Sequence, residues 1–257
     1  MHQNPSMLTS ARHGLATLAG IALVACTGDR PPARTAPAAP TAPAVAPRAV
    51  PAPAQFDHPA MARYHMQLHF DDLRSLERVL LAGDLARGTT LAHLLVRQAD
   101  TPITRAWDQD LLAVSQAALA LTRATTVDEA LRREARVGAA CASCHAHALS
   151  LPVFGTLAEV PGDLPTVEAR MARHVWATDR LWEGLVGADD VRWSQGLEVL
   201  AQTEAPVAAL ASAPPRQLRL QQLARDTLTA PPASLDARAT TYGDLLVICA
   251  DCHTRRR

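Results

Sequence analysis

The chain repeats itself, and both copies end in the same five-residue pattern. Cys141-Ala142-Ser143-Cys144-His145 and Cys249-Ala250-Asp251-Cys252-His253 both read C-x-x-C-H, and they lie 108 residues apart. At that shift Asp128 also falls on Asp236. Earlier in each copy the shift is 105. Met66 falls on Met171, His69 on His174, Leu76 on Leu181, Leu80 on Leu185, Asp84 on Asp189 and Leu95 on Leu200. The difference of three residues is a loop-sized insertion. Self-similarity at a fixed period makes each copy one structural unit.

Within each copy the apolar residues recur at helical spacing in four segments. They are His58–Leu81, Leu85–Val96, Trp107–Leu121 and Val127–His147, then Val167–Val186, Val191–Ala201, Arg216–Leu228 and Leu235–Thr254. Nothing alternates for long with the two-residue period of a strand. Pro102, Pro161, Pro165, Pro206, Pro214, Pro215, Pro231 and Pro232 fall between the segments, where proline breaks helices. The expected fold class is all-α: two tandem four-helix modules, residues 57–150 and 164–257. At 48% hydrophobic and 19% charged, the chain can bury a core. A formal charge of zero argues against nucleic acid, which rewards a strongly basic face.

The first 56 residues differ. Arg12 and His13 precede an apolar run, Leu15–Ala25, that is too short to span a bilayer. The run ends in Leu23-Val24-Ala25-Cys26, which resembles the lipobox of bacterial lipoproteins. That resemblance implies a signal peptide over 1–25, cleavage before Cys26, and acylation of Cys26. Buried acyl chains would make such an anchor stable, at about 0.8 kcal/mol per CH₂. From Pro31 to Pro53 the chain is nearly all Pro and Ala. Such a segment reads as an extended tether, within a linker over 26–56.

C-x-x-C-H is the attachment pattern of c-type haem. Two thiols three positions apart lie on one side of a helical turn, where they can form thioethers with the two vinyl groups of one porphyrin. The adjacent His then points at the iron. Two such motifs in matching places predict two haem c groups. Cys141, Cys144, Cys249 and Cys252 would hold them covalently, with His145 and His253 as proximal iron ligands. Aromatics make up only 4% of the chain, and a macrocycle would supply bulk that aromatics usually provide. A zinc ribbon needs its C-x₂-C pairs far closer together, and thioredoxin-like chemistry needs a βαβ setting.

Each motif closes the last helix of its module, and there Val137–His145 and Leu245–His253 resemble the class II cytochromes c, the cytochromes c prime. The resemblance covers residues 57–257 as two copies, with modules shorter than usual and fused in one chain. It implies an up-down four-helix bundle with haem in the core, the first helix passing the distal face. In cytochromes c prime that face often lacks a strong ligand and binds nitric oxide or carbon monoxide.

This sequence departs there. Met66 with His69, and Met171 with His174, are spaced i, i+3 and share a helix face. That face continues through Leu73, Leu76 and Leu80, and through Thr178, Leu181 and Leu185. Thioether and imidazole both ligate haem iron. His69 and His174 are the favoured distal ligands, with Met66 and Met171 the alternatives. The expected function is electron transfer between redox partner proteins by a membrane-anchored periplasmic dihaem cytochrome c. Gas binding at an open haem is the alternative. A dihaem peroxidase ranks lower, because the two motif sets show no asymmetry. Trp176, Trp182 and Trp193 are expected to pack in the core or on haem. Asp128 and Asp236 are expected to cap the last helices or favour their dipoles. Arg255, Arg256 and Arg257 would face propionates, an acidic partner or solvent.

Overall fold

The computed structural model describes residues 59–98, 108–147, 152, 154–156, 158–202 and 214–254. The expected signal peptide, Cys26, the Pro/Ala linker and Arg255–Arg257 lie outside the described residues. Among those residues there are eight helices and no strand. They are α1 (Pro59–Leu81), α2 (Leu85–Gln98), α3 (Asp108–Leu121), α4 (Val127–His147), α5 (Val167–Val186), α6 (Asp190–Ala201), α7 (Pro214–Thr229) and α8 (Leu235–Thr254). All eight expected segments are helical. Pro214 and Pro215 open α7 rather than precede it, because proline at the first turn sacrifices no intrahelical hydrogen bond. No helix among the described residues is long and apolar enough to cross a membrane.

The repeat extends to the caps. Asp84 accepts from the Arg87 amide and Asp189 from the amides of Val191 and Arg192, so one aspartate caps α2 and its counterpart caps α6. The caps of α4 and α8 are also counterparts: Thr126 accepts from the Glu129 amide and Ser234 from the Ala237 amide. Asp128 and Asp236 therefore sit in the first turns, where the helix dipole favours a carboxylate, and do not cap. After α1 and α5 the chain turns through a positive φ, Gly83 at 84° and its counterpart Ala188 at 50°. The left-handed region costs an alanine about 1–2 kcal/mol and glycine almost nothing. Ala188→Gly is therefore expected to stabilise the fold by about 1 kcal/mol, read as a raised denaturation midpoint at unchanged m-value. An unchanged or lowered midpoint would contradict this.

Each helix packs on the next in sequence. α1 also meets α4, and α5 meets α8. The most extensive contact joins the halves: α4 lies on α8, flanked by α1 on α8 and by α4 on α5. The α4–α8 contacts come in mirrored pairs. Arg132 Nε donates to Asp244 at 2.8 Å, and Arg136 Nη2 donates to Thr240 at 2.9 Å. A shift of 108 converts each of these pairs into the other. Gly243 sits against its own counterpart Ala135, 3.5 Å from the point where a Gly243 Cβ would stand. On α1 and α5 the counterparts Arg74 and Asp179 form an ion pair. The halves are thus related by a pseudo-twofold axis, with antiparallel α4 and α8 at its centre, the arrangement of an isologous dimer. The core runs continuously across it, through Leu76, Leu80, Leu131, Trp182, Leu185, Tyr242 and Leu245.

Candidate haem sites

The last helix of each half carries the C-x-x-C-H motif, and the first helix of that half packs alongside it. In the second half this juxtaposition borders an open cavity of about 280 Å³. Its walls include Met171 and His174 from α5, and Cys249, Cys252 and His253 from α8. All five residues expected around the second haem therefore line one space. Leu220 and Ile248 form its apolar lining, and Arg170 and Arg216 supply guanidiniums at its walls. Arg216 Nε donates to Asp251 inside the motif at 2.8 Å, and Arg170 Nη1 donates to Gln217 at 3.1 Å.

In the first half, α1 carries His65, Met66 and His69, and α4 carries Cys141, Cys144 and His145. The stripe below the candidate ligands is core: Leu73, Leu76 and Leu80 are buried, as are Thr178, Leu181 and Leu185 in the second half. His69 is buried, and its Nε2 has no hydrogen-bond partner. A buried imidazole nitrogen without a partner is costly in a finished protein. Burial, then the neighbouring His65 ring, push the His69 pKa down to about 4 against the pull of Asp72. The ring is thus neutral and offers a lone pair. His145 Nδ1 stands 3.2 Å from the backbone oxygen of Val186. A carbonyl only accepts, so Nδ1 carries the proton and Nε2 of the neutral ring is left as a ligand. Burial lowers the His145 pKa, opposed by that hydrogen bond.

Three of the four thiols are pushed up, away from the range of a reactive dithiol. Burial pushes Cys141 and Cys249 up to about 12, and burial followed by Asp110 pushes Cys144 up to about 11. Catalytic C-x-x-C chemistry requires a lowered thiol pKa. Cys141, Cys144, Cys249 and Cys252 are all free thiols. Among the described residues, no group of three or more His, Cys, Asp or Glu side chains converges as metal ligands.

Three features escaped the sequence. His65 aligns with Arg170 and so had no counterpart to mark it, yet it is buried with its Nε2 unpartnered and its ring 4.2 Å from that of His69. A second histidine one turn from His69 was the available signal. Each site also borrows a wall from the other half. Val186 of α5 receives His145, and its counterpart Leu81 of α1 lines the second cavity. Finally, Glu77 and Glu134 are buried at the axis. The three tryptophans do pack in the protein: Trp182 and Trp193 in the core, and Trp176 half-buried, donating to the Ala158 oxygen at 2.9 Å.

Comparison with models of known protein families, with curated proteins and with solved structures found no match.

Proposed function

We propose that this protein is an exported, lipid-anchored dihaem c-type cytochrome that passes electrons between redox partner proteins. The observation that supports it most is the convergence of His174, Met171, Cys249, Cys252 and His253 on one cavity. The neutral, partnerless His69 of the first half supports it independently. In this reading each half is a four-helix bundle around one haem, similar to a cytochrome c prime. Cys141 and Cys144 hold one group covalently, and Cys249 and Cys252 the other. His145 and His253 would be the proximal ligands, and His69 and His174 would supply the second protein ligand to each iron. Arg170 and Arg216 would be available to the propionates of the second group, and Leu220 and Ile248 would offer apolar surface to its ring. Haem supplies one-electron chemistry at iron. The chain's part is to fix the axial ligands, cover the ring and hold the two groups apart. The motifs begin seven residues beyond the crossing of antiparallel α4 and α8, on opposite sides. At 1.5 Å per residue that sets them about 20 Å apart along the helices.

If His69 with His145, and His174 with His253, hold the two irons, neither iron would have a free position for a substrate, and electron transfer would be favoured over gas binding. Optical spectra of the holoprotein, oxidised and reduced, test this. Low-spin bands at both haems are expected, with no sulfur-to-iron charge-transfer band and no binding of nitric oxide or carbon monoxide. His174→Ala should convert one haem to high spin and leave the other, and His69→Ala should do the converse. A sulfur band would move ligation to Met66 and Met171. High-spin haems that bind gas readily would overturn electron transfer in favour of the gas-binding reading.

A further inference from the structure

Glu134 is fully buried, and neither of its carboxylate oxygens has a partner. Glu77, also buried, faces it from α1. Tyr242 of α8 donates its hydroxyl to Glu77 at 2.6 Å, and Arg74 donates to both Glu77 oxygens at 2.9 Å. Arg74 is also paired with Asp179 of α5, the half-exposed point where the cluster meets water. From α2 and α3 the buried faces are apolar: Ala92 and Leu95, then Leu111, Val114, Ala118 and Leu121. One guanidinium thus stands against two buried carboxyls and a third at the edge. Two carboxylates in a dry site with one shared cation ionise one after the other, the second only at raised pH. Burial, and then the charge of Glu77, raise the pKa of Glu134. Burial raises that of Glu77 against the pull of Arg74 and the Tyr242 hydrogen bond.

The pair lies on the pseudo-twofold axis, between the two motifs. The charge of Glu134 is felt by Cys141, and that of Glu77 by Cys249. Negative charge added at either motif therefore falls within reach of the pair.

We propose that Glu77 and Glu134 form a proton-binding site coupled to both haems, taking up one proton as the protein is reduced and releasing it on reoxidation. This rests on the haem reading above. One electron from a one-electron donor protein takes a ferric iron to ferrous. One proton from water forms an O–H bond on a carboxylate oxygen of the pair. Both leave again on oxidation, so the added charge is neutralised inside the protein.

The test is potentiometric titration of the holoprotein, with one-electron mediators, from about pH 5 to pH 9. Midpoint potentials are expected to fall with rising pH over part of the range. The limiting slope is about 59 mV per pH unit, the equivalent of a tenfold change for one electron. Glu134→Gln should flatten that slope, because Glu77 alone with Arg74 and Tyr242 stays ionised. Tyr242→Phe removes a hydrogen bond from ionised Glu77 and should move the sloping region to higher pH. Haem-loaded protein with potentials independent of pH overturns the proposal alone, as does a slope identical in wild type and both variants. Protein purified without covalent haem overturns the electron-transfer reading and this proposal together.

Discussion

Replacing Cys249 and Cys252 together with alanine is expected to halve the covalent haem, from two groups per chain to one. The paired change Cys141→Ala with Cys144→Ala should do the same at the other site, and all four changes together should leave none. Pyridine haemochrome absorbance per polypeptide, with the mass of the intact denatured chain, measures this directly. The effect is large because the thioethers survive unfolding, whereas axial coordination alone does not. A single change, such as Cys252→Ala, should keep one thioether and still hold its haem, with one vinyl left unsaturated. Two haems in the double variant, or none in either double variant, would contradict independent attachment at two motifs. The alternative for a C-x-x-C pair is dithiol chemistry, but burial holds Cys141 and Cys249 near 12, and such thiols are poor nucleophiles at neutral pH.

The helices were legible in the sequence because their causes are local. The apolar period sets each segment, proline and capping residues end it, and the duplication supplies each feature twice, as with Asp84 and Asp189. The members of the candidate sites were legible for the same reason, since C-x-x-C-H and Met-x-x-His are short motifs on one helical face. How the halves meet was not. A repeat defines the shape of a unit but not which face it turns to its twin. That choice lies in unremarkable residues: Gly243 against Ala135, and Gly138 beneath Trp182, where a Cβ would stand 2.7 Å from the ring. Glu77 and Glu134 read as ordinary polar positions on amphipathic helices until the second half covers them. His65 has no likeness in the second half to mark it, because its counterpart is Arg170.

Fusion of the halves explains how such an axis can be charged. In a true twofold dimer each residue on the axis meets its own copy, so Arg74 would meet Arg74 and Glu134 would meet Glu134. Like charges buried face to face are strongly unfavourable. In one chain the two copies vary independently. Arg74 meets Asp179, Glu77 stands where the other half has Trp182, and Glu134 where it has Tyr242. At these two positions the second half carries aromatic side chains and the first half buried carboxyls. The asymmetry that the motifs lack is present at the axis.

Arg74→Met is accordingly expected to destabilise the protein by about 3–5 kcal/mol at neutral pH, the usual cost of leaving buried charge without its partner. Arg74 has a raised pKa: burial works against its charge, and Glu77, Tyr242, Asp179 and Glu134 more than offset burial. Without it, Glu77 and Glu134 hold their protons more tightly in the folded state than in the unfolded chain. Between the ordinary glutamate pKa of about 4.3 and the higher native value, the folded state then binds more protons than the unfolded one. Stability therefore falls as pH rises through that window. The loss in Arg74→Met should be small near pH 5 and largest above neutrality, at a limit of about 1.4 kcal/mol per pH unit for each carboxyl. Urea unfolding of the holoprotein across this range reads it. Adding Glu77→Gln should recover part of the loss and reduce its pH dependence, because the carboxylate left most exposed by the first change is gone. A double-mutant cycle isolates that coupling. Equal destabilisation at low and high pH would mean that Arg74 contributes packing rather than charge, and that the carboxyls of the axis are already neutral.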